Sequence, residues 1–437
     1  MSRLVSPQGE ESVKAKKLSV IRIAQSVKYL IYTTILCVVI LALLFFQFGR
    51  KTKSIRRILH NSRKFRRINP VMLPESIKER IISPTTKVVF TDSRLAEIPI
   101  CVKVWQRQRI KEDVETQILY LLEGFSYNQR FAPGVYLGIV YLEELSADAR
   151  TFQPGHLTII PRESKLAYGE YAYVMKALQI DWRLDYRLDS EREPLATNEG
   201  MKFLAREVAR LHRRAGISFS SRGLPASIAD KLKFNLGFFA QALEQLSQDG
   251  IDVSTYRCIS SVMEIAVFDL EPDFKRRFVQ GYIKRCHGDL KLTNLWIRPA
   301  SAKFPQQQLL ALDCIDFNPD FCHIDTLSDV AMLAMDLQMH LLDGPHDHKG
   351  DDLVEVFIST YLQERTEDQA SARLLLKYYI IEKAMVCANV SILGDGASER
   401  GRKYLSLALQ HAQELQTLLP LPGAQAIPLL KRKRLLI

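Results

Sequence analysis

The sequence has no C-x-x-C pair, no G-x-x-x-x-G-K-[ST] phosphate loop, and no glycine-rich loop where its first strands meet. Each absence excludes something. The seven cysteines, at 37, 101, 258, 286, 314, 322 and 387, form an odd and scattered set. That excludes a disulfide scaffold and reads as free thiols in a reducing compartment. Cys286-His287 and Cys322-His323 match no zinc-ligand spacing. Without a phosphate loop the chain is not a P-loop nucleotide binder. Acids are missing from one place in particular: Arg50 to Arg67 holds nine Lys/Arg and no Asp or Glu. The formal net charge is +11 over 437 residues, yet residues 1–69 alone carry +13 and the rest sums to −2. The main body therefore has no compositional basis for a nucleic-acid-binding face, and no nucleic acid partner is expected.

Apolar content is ample. Hydrophobic residues make up 47% of the chain, enough for a large core and too much for global disorder. The length allows two or three domains. Residues 1–28 are polar and basic, and Tyr29 to Phe48 then runs twenty residues without a charge. That length spans a bilayer core as one helix. The run is too long for the apolar core of a signal peptide, ends in bulky phenylalanines, and is followed by no small-x-small cleavage site. Six basic residues precede it and nine follow, so the positive-inside rule places the C-terminal side in the cytoplasm. The expectation is a single-pass protein of the plasma membrane with a cytoplasmic body. Its basic flank anchors the topology and suits contact with anionic headgroups.

The body is organised around Cys286-His287-Gly288-Asp289-Leu290-Lys291-Leu292-Thr293-Asn294, which reads H-G-D-x-x-x-x-N. A second acidic stretch follows, Leu312-Asp313-Cys314-Ile315-Asp316-Phe317-Asn318. Phosphoryl transfer from ATP calls for these residue types. An Asp must meet the attacking hydroxyl, and an Asn and a further Asp must hold Mg²⁺ against the phosphates. Four residues between Asp289 and Asn294 let one short loop present both side chains to one point. The apolar run Leu309-Leu310-Ala311-Leu312 reads as a buried strand ending at the second acidic site. Were Asp289 and Asn294 only turn caps, the acid at the strand end would be unexplained.

Upstream, Lys87 to Phe90 and Ile98 to Val104 read as the opening strands of a small lobe. Lys103, in V-K-V, is placed to reach the α- and β-phosphates. The helix predicted over Asp113–Ser126 offers Glu115 and Glu123 as carboxylates to hold it. Thr91-Asp92-Ser93-Arg94 stands where a glycine-rich cover would be. Tyr136–Leu142 and Glu170–Met175 read as further strands, the second leading to a hinge for adenine near Met175 to Leu178. Helical periodicity covers Lys202–His212, Ser227–Leu246, Pro272–Arg285, Ile324–Met339, Leu353–Leu362, Ala370–Leu393 and Arg402–Leu418. His212 reads as a helix-end residue. Asp325 either braces the catalytic loop or starts the helix after it. Lys431-Arg432-Lys433-Arg434 forms a basic tail.

With these residues the sequence resembles the aminoglycoside phosphotransferase-like kinases, and most closely a bacterial branch carrying C-H-G-D-L-H-x-x-N and F-D-C-I-E-F-N. The similarity extends to 128–138, 170–175 and 205–214, and covers roughly 85–415. It implies an α+β, bilobal protein-kinase-like fold. A β-rich small lobe over 76–176 and a helical large lobe over 177–425 would follow the basic segment 1–28, the membrane helix 29–48 and the linker 49–75, with a tail over 426–437. It also implies Asp289 as the catalytic Asp, Asn294 and Asp316 as metal ligands, Lys103 on phosphate with Glu123 pairing to it, and Met175 beside the nucleotide. Three departures stand out. Lys291 replaces the branch's His, as in protein Ser/Thr kinases, where a Lys steadies the γ-phosphate; it is counted as catalytic. Asp316 replaces a Glu found in many members, which leaves Asp313 as an alternative ligand. The P-loop kinase domain often fused in that branch has no counterpart motif here.

The expected function is ATP- and Mg²⁺-dependent phosphate transfer to a hydroxyl of a small molecule or of an envelope or lipid-linked metabolite. Two alternatives stay open. The missing glycine-rich loop speaks for a nucleotide-binding pseudokinase scaffold, and Lys291 for a protein Ser/Thr kinase. A structural membrane protein or nucleic-acid binder would instead show salt-dependent binding by residues 49–70 alone.

Overall fold

The computed structural model describes residues 79–80, 89–95, 98–104, 114–144, 152–154, 169–190, 195–218, 224–247, 253–302, 304–343, 350–393 and 398–419. The predicted membrane helix 29–48, its basic flanks and the basic tail lie outside them. Among the described residues no helix is long and apolar enough to cross a membrane.

The first part is a six-stranded antiparallel sheet. Its strands are β1 (Glu79–Arg80), β2 (Val89–Leu95), β3 (Ile98–Val104), β4 (Tyr136–Glu144), β5 (Phe152–Pro154) and β6 (Gly169–Lys176), in the order β1-β2-β3-β6-β4-β5. One helix, α1 (Val114–Phe131), is inserted between β3 and β4. The pairing of β3 with β6 sets Lys103 opposite Tyr173 and Cys101 opposite Met175. The turn from α1 into β4 uses Gly134 at φ +77°, a left-handed position where a side chain would be strained.

The chain is mostly helical after β6. Helices α2 (Leu184–Leu188), α3 (Asn198–Arg214), α4 (Pro225–Ser247), α5 (Val253–Asp269) and α6 (Glu271–Val279) come first. Two short strand pairs follow: β7 (Ile283–Arg285) with β10 (His323–Asp325), and β8 (Leu295–Arg298) with β9 (Gln308–Ala311). Then come α7 (Thr326–Asp343), α8 (Gly350–Glu364), α9 (Gln369–Leu393) and α10 (Ser398–Leu418). Helix α3 shows why these segments are helical. Met201, Leu204, Ala205, Val208, Ala209, Leu211 and His212 recur at helical spacing and are buried. Thr197 caps the start by accepting the Gly200 N–H at 3.1 Å.

Three sequence expectations need correction. The helix expected over Pro272–Arg285 stops at Val279, because Gly281 takes φ +76° and turns the chain into β7. The helix expected from Ile324 starts at Thr326, after β10. Helix α5 was not anticipated. Asp325 starts α7 rather than bracing the catalytic loop: its Oδ1 accepts the Leu327 N–H at 2.8 Å. The same carboxylate takes a fork from Arg277 at 2.5 and 2.7 Å, and Arg277 also reaches Glu367 at 2.6 Å.

Two cores result. The larger packs α3, α5, α7, α8 and α9 around residues such as Met263, Leu333, Phe357, Tyr361 and Ile381. The smaller joins α1, β4 and β6, through Leu121, Phe125, Tyr136 and Tyr173, to Leu310 and Leu312 at the end of β9. The second acidic stretch therefore leaves the larger part of the fold at the point where the sheet packs against it.

Candidate active site

The H-G-D-x-x-x-x-N loop runs from β7 to β8 and is pinned from below. Helix α7 is mostly apolar over TLSDVAMLAMDLQM, yet carries Asp329 and Asp336 seven residues apart, hence on one face. Both are buried. Asp329 accepts the backbone N–H of His287 through Oδ2 and of Gly288 through Oδ1, each at 2.8 Å. Asp336 accepts the Leu292 N–H at 2.8 Å. Burial pushes the Asp329 carboxyl up, but hydrogen bonding and charge from His212, with His287 and its N–H, hold it below the usual range. The bracing that the sequence reading offered to Asp325 thus falls to Asp329. The missed signal was two acids at a helical repeat inside an apolar helix.

His287 does not face the site. Its Nε2–H donates to the Leu312 carbonyl at 2.8 Å, and burial pulls the imidazole below its ordinary pKa. His212, at the end of α3, binds the Tyr361 hydroxyl at 2.7 Å and lies 3.4 Å from Asp329. Gly288 is required as glycine. Its φ is +87°, and an added Cβ would stand 2.5 Å from the Phe321 carbonyl oxygen.

Above this floor the predicted groups converge. Lys291 Nζ lies 3.0 Å from Asp289 Oδ2, and the neighbouring carboxylate raises the Lys291 pKa. Asn294 Nδ2 donates to the same Asp289 oxygen at 3.0 Å and to the Asp289 carbonyl at 2.9 Å. The amide oxygen of Asn294 is then what it offers to a cation. The Asn294 carbonyl accepts the Leu312 N–H at 2.8 Å, tying the two motifs together one residue before Asp313.

Asp313 and Asp316 differ in their surroundings. Asp313 has φ 65°, in the left-handed region that Asp tolerates better than most residues. Its N–H donates to the Tyr136 hydroxyl at 2.9 Å, and the next N–H, of Cys314, donates to Asn128 Oδ1 at 3.0 Å. Held this way, Asp313 forms an ion pair with Lys103 from β3. Burial pushes the Asp313 carboxyl up, but Lys103 brings it below the usual range. Asp316 takes the Tyr173 hydroxyl at 2.7 Å, and burial pushes its carboxyl up to about 6. It lies directly under α1, where a Cβ on Gly124 would come 2.2 Å from the Asp316 Cβ.

One pairing expected at the nucleotide site changes. Glu123 does not take the role of partner to Lys103, whose charged neighbours are Asp313 and Asp316. Glu123 instead lies 3.6 Å from Arg285 Nε and 3.8 Å from His323 Nε2. Met175 is buried in the smaller core with Tyr136 and Leu312. The segment after it, Ala177 to Gln179, is partly or fully exposed and joins the sheet to the helical part.

A β-sheet with one inserted helix, a connecting segment, a braced H-G-D loop and an acid at the end of β9 define a protein-kinase-like arrangement. No family model matches the chain. Uncharacterized proteins of Mycobacterium tuberculosis and Mycobacterium bovis are each 25% identical over 309 residues, which is 69% of this chain and 53% of theirs. The chain thus spans about half the length of the curated relatives it matches. Solved structures similar to the chain include several kinases. A microcompartment-associated aminopropanol kinase is 13% identical, with 78% of this chain and 91% of that one covered at TM-score 0.43. A choline kinase from Cryptosporidium parvum is 14% identical, covering 83% and 96% at 0.42. A choline kinase from Streptococcus pneumoniae is 12% identical, covering 79% and 95% at 0.41.

Proposed function

We propose that this chain is an ATP-dependent phosphotransferase acting on an alcohol group. The observation that carries the reading is the convergence of Asp289, Lys291 and Asn294 with the Lys103–Asp313 pair. Asp289 is the group placed to orient an acceptor hydroxyl and take its proton. Lys291, held against it at 3.0 Å, stays charged and is suited to a γ-phosphoryl oxygen. Lys103, on a rigid strand, is suited to the α- and β-phosphates once a nucleotide draws it from Asp313.

The oxygen donors of Asn294 and Asp313 suit a hard cation such as Mg²⁺, which when bound neutralises charge on the phosphates. Asp313 is the better placed ligand of the two candidate acids, because it directly follows Leu312, whose N–H is bound to the Asn294 carbonyl, while Asp316 is engaged by the Tyr173 hydroxyl. The acceptor is a small molecule, and an envelope or lipid-linked metabolite fits the predicted membrane helix 29–48. That helix would keep the catalytic body on the cytoplasmic face of the plasma membrane, where ATP is available.

The test is label transfer from γ-labelled ATP by the full-length protein in a cell extract, with Asp289→Asn beside it. The variant is expected to keep nucleotide binding and lose transfer. Equal labelling by both would remove Asp289 from the mechanism. Nucleotide binding without transfer by either protein would favour the scaffold reading.

A further inference from the structure

A cavity of about 330 Å³ opens between α4, the loop 318–321, the start of α7 and α9. Asp289 is not among its walls. Its apolar lining includes Ile228, Phe234, Ile283 and Tyr379. Three polar side chains that line it are nearly inaccessible: Ser328 at 1% exposure, Glu382 at 3%, and Asp325 at 3%, the last paired with Arg277. Ser328 Oγ and Glu382 Oε2 have no hydrogen-bond partner. The other Glu382 oxygen is occupied, by Lys231 Nζ at 2.9 Å and Asn235 Nδ2 at 3.3 Å. Buried polar atoms are paired almost without exception, so two orphans on one cavity mark a place that a ligand's donors would complete. Asp230 and Asp320, exposed lining residues, disfavour an anionic head.

An aromatic row leads out of this cavity. Phe234 and Phe238, one turn apart on α4, are 53% and 41% exposed with ring centroids 5.0 Å apart. Phe234 lies 6.4 Å from Phe321, and Phe321 lies 6.4 Å from Phe317, the residue after Asp316. The Phe321 carbonyl is the atom that an added Cβ at Gly288, the residue before Asp289, would meet. The row therefore connects the cavity to both halves of the candidate active site.

We propose that the cavity and the aromatic row bind a small amphiphile. Its neutral or cationic head presents O–H or N–H donors to Glu382 Oε2 and Ser328 Oγ, and its alkyl or aromatic part lies along Phe234 and Phe238. The inference rests on the phosphotransferase reading only for the fate of this molecule as acceptor. Binding itself needs neither ATP nor Asp289.

The test is calorimetric titration of the full-length protein in lipid nanodiscs with phenyl β-glucoside, with glucose, and with benzenesulfonate. Saturable binding of phenyl glucoside, about tenfold tighter than glucose, with no binding of the sulfonate, is expected. The double variant F234A/F238A should bring phenyl glucoside to the level of glucose while leaving AMP-PNP binding unchanged. Ser328→Ala should weaken both sugars, and Asp289→Asn should weaken neither. Loss of phosphate transfer with sugar binding intact would then report on the reaction alone. Equal binding of all three probes, no saturable binding, or indifference of both the Phe and the Ser variants would overturn the proposal.

Discussion

Asp329 offers the sharpest structural prediction, because one buried carboxylate holds two backbone donors of the catalytic loop. Asp329→Ala removes the acceptor of the His287 and Gly288 N–H groups, both at 2.8 Å, and leaves two buried donors without their partner. Each orphaned donor costs about 1–3 kcal/mol, and the loss of His212's neighbour adds to that. The two donors together cost about 2–6 kcal/mol, a large part of a typical domain's stability of about 5–15 kcal/mol. Asp329→Asn is gentler. One oxygen remains, while the new amide meets an N–H, so about 2 kcal/mol is expected. Urea unfolding followed by circular dichroism gives the stability, and label transfer gives the activity. The Asn variant should be folded and still bind nucleotide, yet transfer phosphate about a hundredfold more slowly, because Asp289 follows Gly288 directly and a displaced loop misaligns it. An Ala variant as stable and active as the parent would refute the claim that α7 positions the loop.

Two further perturbations test other parts of the fold. Arg277→Met leaves Asp325 and Glu367 as buried carboxylates without their cation, and should cost about 3–5 kcal/mol by urea unfolding. Changing all three residues to apolar ones should recover much of that. His411, buried against Gln338 at 2.9 Å, has its imidazole pulled by burial down to about 4. The unfolded chain therefore binds the extra proton first, so this residue's contribution is complete above about pH 6.5 and is lost as pH falls towards 4. His411→Gln should flatten the stability profile in that window and leave it unchanged above pH 7.

The H-G-D-x-x-x-x-N loop was legible in the sequence because its geometry is local. Asp289 and Asn294 are separated by one short turn, and the apolar run Leu309–Leu312 announces the strand that carries the second acidic stretch to them. The difference in surroundings between Asp313 and Asp316 was not legible. It depends on the left-handed backbone at Asp313 and on hydroxyls and amides from Tyr136, Asn128 and Tyr173, which arrive from distant segments. The partner of Lys103 was equally non-local, lying 210 residues away. Asp329 and Asp336 did leave a trace, as the only acids in the middle of an apolar helix, and so did α5. Its Ile259, Val262, Met263 and Ala266 recur at helical spacing and are buried, but the serines and β-branched residues among them blur the pattern.

The most direct test of the account is the Mg²⁺ dependence of nucleotide binding by the acidic stretch. AMP-PNP affinity is measured by calorimetry with and without Mg²⁺ for the parent, Asp313→Asn and Asp316→Asn. The account predicts that Mg²⁺ tightens binding to the parent by about tenfold or more, that Asp313→Asn abolishes this gain, and that Asp316→Asn retains most of it. A parent protein indifferent to Mg²⁺, or an Asp313→Asn variant that responds as the parent does, would contradict it.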